Sequence, residues 1–146
     1  KVIEPHPDGL SDELAAFANA NGGTLVLGVD DKTLTATGIP AEQMETLKSW
    51  LRGIVNDRIT PPLEILTENV ELPNAAGEIV TVIVVSVPRS LWIHESANGY
   101  FQRVVDSKRW LSAYELERAM IQRGLSWTYI RYNNMGVPSH HQMKMG

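Results

Sequence analysis

The 146-residue sequence contains no cysteine. Disulfide bonds and thiolate metal sites are therefore excluded. No apolar run approaches the roughly 20 residues that a membrane-spanning helix needs, and no signal-peptide pattern is visible. We expect a cytoplasmic protein of one domain without a membrane partner, since a chain of this length can bury about two thirds of its unfolded surface around a single core.

The sequence also lacks an initiating methionine, and its first nine residues, KVIEPHPDG, hold two prolines and a glycine. This composition predicts a loop that leads from something upstream, so we interpret the chain as a fragment. We place one domain at residues 1–124, with its N-terminal strand missing. Residues 125–146 have no clear period but are rich in aromatic contact area, which predicts a tail that packs on this domain or on a second copy.

Basic residues are scarce in the first part of the chain. Residues 1–87 hold five basic and thirteen acidic side chains, a charge of −8, whereas residues 88–146 hold eight basic and four acidic ones, a charge of +4. The total of −4 argues against a general nucleic-acid coat. The asymmetry indicates either a local basic face on an acidic protein or ordinary solvated surface charge.

Residues 16–31, AFANANGGTLVLGVDD, form the stretch around which the chain is organised. Leu10, Leu14 and Phe17 have the spacing of an amphipathic helix, and Ser11 stands where it would cap the first turn. The helix is expected to end at the glycine pair, because glycine adopts the left-handed geometry that follows a last turn. The apolar run that comes next lacks alternation, which predicts a strand buried on both faces in the centre of a sheet.

Similar patterns place the remaining elements. A helix is predicted over residues 42–59, because Met44, Leu47, Leu51, Ile54 and Val55 share one face. Strands are predicted at 63–72, 79–87 and 100–105, with 79–87 beside 24–29, and residues 106–108 are interpreted as a turn. Ser112 and Glu115 form a capping box that opens a last helix. The predicted fold is α/β (α+β), a mixed sheet of about five or six strands with three helices.

Cations and aromatic rings alternate in the segment that follows the longest strand. Cations there would contact phosphates, and a ring would stack on a base. The candidate nucleic-acid-binding residues are Arg89, Tyr100, Arg103, Lys108 and Arg109. The alternative is an exposed strand edge kept soluble by charge, with the rings in the core.

Other polar residues have ordinary explanations beside functional ones. Asp30 and Asp31 follow a strand, where paired carboxylates suit either Mg²⁺ or a turn in which they bond their own backbone. The glycine pair lacks the spacing and the lysine of a phosphate loop, so ATP hydrolysis is not expected. His94 is interpreted as structural and Asn19 as a cap or turn anchor, and His6, His140 and His141 are weak metal candidates.

Several of these motifs occur together in one known family. They are AFANANGG, GVDD, Ser90-Leu91-Trp92-Ile93-His94, Tyr100 with Arg103, Ser107 with Arg109, and Glu115. In this order, over about residues 10–120, they resemble the Schlafen AlbA-type family of DNA-binding-type domains, which is common in bacterial transcriptional-regulator-like proteins. Ile93 departs from the pattern, because proline usually precedes the histidine.

The resemblance implies a nucleic-acid-binding module, with DNA as the first expectation, and no cofactor. Nuclease members of the family imply an alternative, a metal-dependent endoribonuclease in which Asp30 or Asp31 would help to hold Mg²⁺ or Mn²⁺. That site also needs glutamates from an upstream segment that this chain lacks, so no complete catalytic site can be assembled from these residues. A third alternative is a protein-interaction or homo-oligomerisation module, which the aromatic tail favours.

Overall fold

The computed structural model describes residues 7–30, 32–104 and 107–124, with the backbone alone at positions 7 and 8. Within these ranges the chain has an α+β fold of three helices and five strands, as predicted. The helices are α1 (Pro7–Asn19), α2 (Ala41–Asp57) and α3 (Ala113–Gln122). The strands are β1 (Gly23–Leu27), β2 (Leu66–Pro73), β3 (Ile79–Val87), β4 (Phe101–Val104) and β5 (Ser107–Trp110).

Helix α1 begins earlier than its sequence pattern indicated. Because the helix starts at Pro7, Ser11 lies inside it and is not the cap that we expected. The Ser11 side chain is fully buried, and its hydroxyl accepts a hydrogen bond from the Ala97 amide at 3.4 Å. The far end agrees with the prediction, since Gly22 has a φ of 84° and its amide donates to the Phe17 carbonyl at 2.8 Å. This left-handed residue turns the chain from α1 into β1.

The main sheet has the strand order β1-β3-β2, and both pairs are antiparallel. The predicted pairing of β1 with β3 is confirmed, with Gly23 opposite Val87. The prediction that β1 is central and buried on both faces is wrong. Strand β3 lies in the middle of the described sheet, and the side chains of β1 alternate, with Leu25 and Leu27 buried and Thr24 exposed. An alternating strand needs only one face against the core.

Strands β2 and β3 form a hairpin whose turn is organised by Asn74. Its side-chain oxygen accepts hydrogen bonds from the amides of Ala76 and Glu78, both at 2.9 Å. Strand β2 begins at Leu66, whereas Leu63, which we placed in the strand, is buried in the core. Nearly every side chain of β2 is exposed, so this strand extends the sheet without adding to the core.

The described residues have two hydrophobic cores. The larger core joins α1, α2, β1 and β3, and all five side chains predicted to share the inner face of α2 are buried in it. The smaller core contains Ile93, Leu116, Ala119 and Met120, with Tyr100 and Leu111 packed against it. The inward face predicted for α3 is therefore confirmed, and α3 lies over the segment that follows β3.

Strands β4 and β5 form a second, two-stranded sheet, whereas the sequence had indicated a single sheet. Phe101 lies opposite Trp110, and Arg103 lies opposite Lys108. Ser107 and Lys108 are thus strand residues, which corrects the turn predicted at 106–108. We call β4 and β5 the cationic hairpin, since three of the predicted site residues lie on it.

No helix in ranges 7–30, 32–104 and 107–124 is long and apolar enough to cross a bilayer. The predicted tail at 125–146, with its packing or oligomerisation role, lies outside the described residues. So do His6, His140 and His141.

Candidate nucleic-acid interface

The cationic hairpin packs its basic residues against acidic residues of α1. The Arg103 guanidinium lies 2.5 Å from a carboxylate oxygen of Glu13 and 5.3 Å from the centre of the Phe17 ring. The Lys108 ammonium lies 3.7 Å from Asp12 and 3.9 Å from Glu13. We call Asp12, Glu13, Arg103 and Lys108 the paired cluster, because each cation in it faces a carboxylate.

Asp12 anchors the paired cluster from the inside. Its side chain is almost fully buried, and one oxygen accepts a hydrogen bond from the Ser96 hydroxyl at 2.5 Å. The other oxygen accepts from the Asn98 amide group at 2.7 Å. A buried carboxylate needs such partners, since an uncompensated buried charge is costly. The nearby Lys108 therefore completes a structural network that ties the 96–98 segment to α1.

The paired cluster bears on the predicted phosphate contacts of the hairpin. Arg103 and Lys108 have side-chain exposures of 24% and 32%, and their charges are balanced by Asp12 and Glu13. Neutralised and partly buried cations attract a phosphate backbone less than free ones do. Direct contact of these two residues with nucleic acid stays a prediction.

Arg109 is placed differently, at the outer end of the hairpin. Its side chain is 52% exposed, and it lies 2.5 Å from an oxygen of Glu115. The other Glu115 oxygen accepts a hydrogen bond from the Ser112 amide at 3.2 Å, which confirms the predicted capping box of α3. The hydrogen bond from Arg109, followed by those involving Ser112, lowers the pKa of Glu115. An exposed ion pair of this kind contributes little free energy and can be broken easily.

The aromatic residues of this region do not take the places that the sequence indicated. Tyr100, the predicted stacking residue, is partly buried against the smaller core. Trp110 is 66% exposed, and its ring meets Phe101 edge-on with the ring centres 5.3 Å apart. Stacking by Tyr100 stays a prediction, although Trp110 presents more ring surface to solvent.

Asn19 connects two parts of the site through one buried side chain. Its amide nitrogen donates to the carbonyls of His94 at 2.9 Å and Phe101 at 2.8 Å. Its oxygen accepts from the His94 amide at 2.8 Å. We predicted a cap or turn anchor, and the structure shows an anchor for segments 75 and 82 positions further along the chain. An asparagine among the apolar residues of a helix was the available signal, since buried amides need partners.

Arg123, which the sequence did not single out, closes the far side of this arrangement. Its guanidinium donates to the Ser90 carbonyl at 3.1 Å and to the Asn19 carbonyl at 2.8 Å, with longer bonds to Ala18 and Ala20. These α1 carbonyls lie at a helix C-terminus, where a cation is favoured. Burial, and then the positive charge of Arg89, lower the pKa of Arg123 to about 10. Its hydrogen-bond partners in the described residues are carbonyl oxygens, and no carboxylate there forms an ion pair with it.

Beside Arg123 lies an open groove of about 380 Å³, which we call the Arg89 groove. Residues that line it include Pro61, Glu64, Arg89, Ser90, Trp92 and His94. The Arg89 side chain is exposed, and no carboxylate in the described ranges forms an ion pair with it. Trp92 is 45% exposed at the same groove. A free cation and an exposed ring thus occur together here.

His94 forms the floor of the Arg89 groove. The ring is buried, with Nδ1 2.5 Å from the Pro61 carbonyl oxygen and Nε2 2.6 Å from the Ser90 hydroxyl. Burial lowers the pKa of His94, the Pro61 bond opposes this, and Arg123 lowers the pKa further. The neutral ring therefore donates from Nδ1 to Pro61 and accepts the Ser90 hydroxyl at Nε2. This arrangement agrees with the structural role that we predicted for His94.

Asp30 lies in a tight turn after β1. One of its oxygens accepts hydrogen bonds from the amides of Lys32 at 2.8 Å and Thr33 at 3.2 Å. This is the turn chemistry that we set beside the metal interpretation. Asp31 lies outside the described residues, and those residues contain no group of three side chains suited to a metal ion. A role for Asp30 and Asp31 in binding Mg²⁺ or Mn²⁺ stays a prediction.

Comparison with known proteins identifies the family. The profile of the family described as Schlafen, AlbA_2 matches residues 2–112. The chain belongs to the Schlafen AlbA_2 family. Membership supports, at a coarse level, a domain of the nucleic-acid-binding type.

A solved structure resembles this Schlafen AlbA_2 chain along most of its length. The DIP2311 protein from Corynebacterium diphtheriae is 29% identical to it, with a TM-score of 0.55 over 85% of the chain. The matched region is 24% of that protein, so our chain spans about a quarter of its length. No match was found among curated proteins.

The Schlafen AlbA_2 fold thus distributes the five predicted site residues over separate places. Arg103 and Lys108 belong to the paired cluster, and Arg109 lies at the outer end of the hairpin. Tyr100 packs on the smaller core, and Arg89 lines its own groove. Among the four predicted site residues that are cations, Arg89 has no ion pair in the described ranges, whereas the three on the hairpin are each paired with a carboxylate.

Proposed function

We propose that this chain is a nucleic-acid-binding module, with DNA as its first ligand, in a transcriptional-regulator-like protein. The observation that carries the proposal is the exposed Arg89 guanidinium, which lacks an ion pair in the described residues and lies close enough to Arg123 to lower its pKa. Two neighbouring cations repel each other when, as in the described residues, no carboxylate pairs with either of them. A phosphate bound beside them would relieve that repulsion, which favours a polyanionic ligand.

The hairpin cations support this ligand unequally. Arg109 is the second proposed phosphate contact, because its exposed pair with Glu115 can be exchanged for a phosphate at little cost. Arg103 and Lys108 serve mainly to hold the hairpin on α1, since their carboxylate partners would have to be displaced first. We therefore expect Arg89 and Arg109 to govern affinity.

Titration of labelled DNA and RNA at two salt concentrations tests the proposal. The full chain should bind at low salt, and Arg89→Ala should weaken binding and reduce the slope of log affinity against log salt by about one. Arg52→Ala is the matched control, because Arg52 is also exposed but lies on α2. Absence of binding at low salt, or equal affinities for the parent chain and the Arg89→Ala variant, would overturn the proposal.

A further inference from the structure

Strand β2 lies at an edge of the main sheet, and its outer side is unprotected. It pairs with β3 on one side, and no described residue forms a backbone hydrogen bond with its other side. The strand is eight residues long, its register with β3 runs without a bulge, and it contains no lysine. Its one proline is the last residue, Pro73. Edge strands are normally protected by short length, lysine, proline or bulges, so β2 is an open template for another strand.

The backbone groups that β2 turns outward follow from its hydrogen bonds to β3. Opposite residues of an antiparallel pair alternate between exchanging two hydrogen bonds and exchanging none. The Asn74 amide donates to the Glu78 carbonyl at 2.7 Å, so this pair is bonded. The Thr81 carbonyl accepts from the Ile39 amide at 2.8 Å and therefore does not bond Glu71, which lies opposite it. The alternation leaves three residues with both backbone groups directed away from β3, namely Thr67, Asn69 and Glu71.

We propose that β2 is a homodimerisation edge, which pairs in antiparallel fashion with β2 of a second copy about a two-fold axis at Asn69. Thr67 then lies opposite Glu71 of the second copy, and Asn69 lies opposite its own counterpart. Each outward N–H therefore meets an outward C=O, as a two-fold contact between identical strands requires. The inference is independent of the proposed function and assigns a separate surface to association between copies.

The apolar side chains of β2 favour this register. Leu66 and Leu72 are 71% and 37% exposed. The axis at Asn69 places Leu66 opposite Leu72 of the second copy, so the pairing covers each leucine in both chains. Cross-strand apolar pairs of this kind stabilise a sheet. An axis at Val70 would instead place Leu72 opposite Glu68, and the contact between leucines would be lost.

The carboxylates of β2 fit the same register. Glu68 lies opposite Val70 of the second copy and Glu71 lies opposite Thr67, so no carboxylate directly opposes another. Moving the axis to a point between Asn69 and Val70 would place Glu68 opposite Glu71 and would set outward backbone groups against inward ones. In the proposed register the two Glu68 side chains are diagonal neighbours, about 7–8 Å apart, where their repulsion is modest.

The charge of this part of the chain decides against nucleic acid as the occupant of the edge. Residues 59–88 contain four glutamates and no lysine or arginine. A surface with this charge repels phosphates. A protein strand, by contrast, is held mainly by backbone hydrogen bonds, and a second copy also supplies an apolar partner for each leucine.

Sedimentation velocity of the full chain over a range of concentrations tests the proposal. The chain should dimerise reversibly, and Leu66→Glu should raise the dissociation constant about tenfold, because it places a carboxylate opposite Leu72 of the second copy. Leu91→Glu is the matched control, since Leu91 is 76% exposed but lies between β3 and β4. Glu68→Gln should lower the dissociation constant, because it removes the diagonal repulsion.

Asn69→Pro is a second test variant. The Asn69 amide does not bond β3, so proline there removes a donor from the contact between copies and none from the hairpin. It should abolish the dimer and keep the parent circular dichroism spectrum; if it does not fold, the result for Leu66→Glu decides. A chain that is monomeric at every concentration would overturn the proposal and leave the edge to a strand of a different protein. A dimer that persists unchanged in Leu66→Glu would overturn it as well, because association would then use another surface.

Discussion

The paired cluster includes Asp12 and Glu13 of α1, and the Arg89 groove lies near the C-terminal end of the same helix, yet the cations of the two regions have different partners. In the paired cluster, Arg103 and Lys108 face the carboxylates of Asp12 and Glu13. In the groove, Arg123 meets carbonyl oxygens, and Arg89 has no described carboxylate partner. The first arrangement uses its cations to hold the hairpin on α1, whereas in the second the charge of Arg89 has no carboxylate partner in the described residues. The partners of a cation, more than its position in a basic segment, decide which use it has.

Asn19 makes the two regions parts of one structure. It bonds Phe101, at the start of the hairpin, and His94, at the floor of the groove. A substitution at Asn19 should therefore affect both regions, whereas a substitution within one region should affect that region.

The largest effect is expected for Asn19→Ala. The change leaves two carbonyls and one amide without their partner in the interior, each at a cost of about 1 kcal/mol or more, so the free energy of unfolding should fall by about 3 kcal/mol. Urea denaturation measures it, and Asn69→Ala, at an exposed position of β2, is the control. A loss no larger than that of the control would mean that the regions are held together by other contacts.

Asp12→Ala should have the next largest effect and should act on the paired cluster alone. Removing the carboxylate leaves the Ser96 hydroxyl and the Asn98 side chain without their acceptor, and Lys108 without its nearer anion. We expect a loss of about 2 kcal/mol in the free energy of unfolding. Glu45→Ala, on the exposed face of α2, provides the baseline in the same denaturation series. If nucleic-acid affinity fell in parallel at temperatures where Asp12→Ala is folded, the separation of the regions would be wrong.

Acidification should act on the groove through His94. Burial holds the pKa of His94 below its ordinary value of 6.5, so the unfolded chain takes up this proton at a higher pH than the folded one. The stability that the neutral ring contributes is therefore complete above about pH 6.5 and is lost as the pH falls through the folded value. Arg123 adds to this preference, while Glu95, whose pKa is raised by burial, acts in the opposite direction.

The measurement is the difference between the parent chain and His94→Gln in chemical denaturation at pH 7 and pH 5. The parent chain should lose more stability than the variant over this interval, because the variant lacks the titrating ring. Equal losses in both proteins would show that other groups control the acid response.

The smallest effects on stability are expected for Arg89→Ala and Arg109→Ala. Arg89 has no described ion pair, and the exposed pair of Arg109 with Glu115 contributes little. Neither variant should shift the thermal midpoint measurably, whereas Arg103→Ala should lower it. The contrast would be lost if all three arginine variants shifted the midpoint by the same amount.

Much of the fold could be predicted from local sequence patterns. The inner face of α2, the apolar β3 and the capping box of α3 were readable because each depends on residues close in sequence. Strand β5 was missed, since four residues that include two cations and an exposed tryptophan show no strand alternation. The division into two sheets was also missed. It depends on which short strands pair with each other, and local sequence patterns do not specify that pairing.

The candidate site was less predictable, since its chemistry depends on contacts between distant residues. Lys108 and Asp12 are far apart in the sequence, and nothing near Lys108 indicates that a buried carboxylate will meet it. Arg123 comes directly after α3, and its guanidinium bonds residues that are distant in the sequence. Its role at the end of α1 therefore depends on how α3 packs, which local sequence does not show. A basic segment could be recognised, but the cations that remain unpaired in it could not.

The glycine pair after α1 has an effect beyond the turn it makes. A Cβ atom at Gly23 would overlap the Phe17 ring, and one at Gly22 would press on the Val87 carbonyl. Since the Arg103 guanidinium rests over Phe17, a methyl group at Gly23 would displace the ring and move the arginine with it. The hydrogen atom that stands in place of a side chain at Gly23 therefore fixes how closely the hairpin approaches the helix, and the one at Gly22 fixes how closely the end of β3 approaches it.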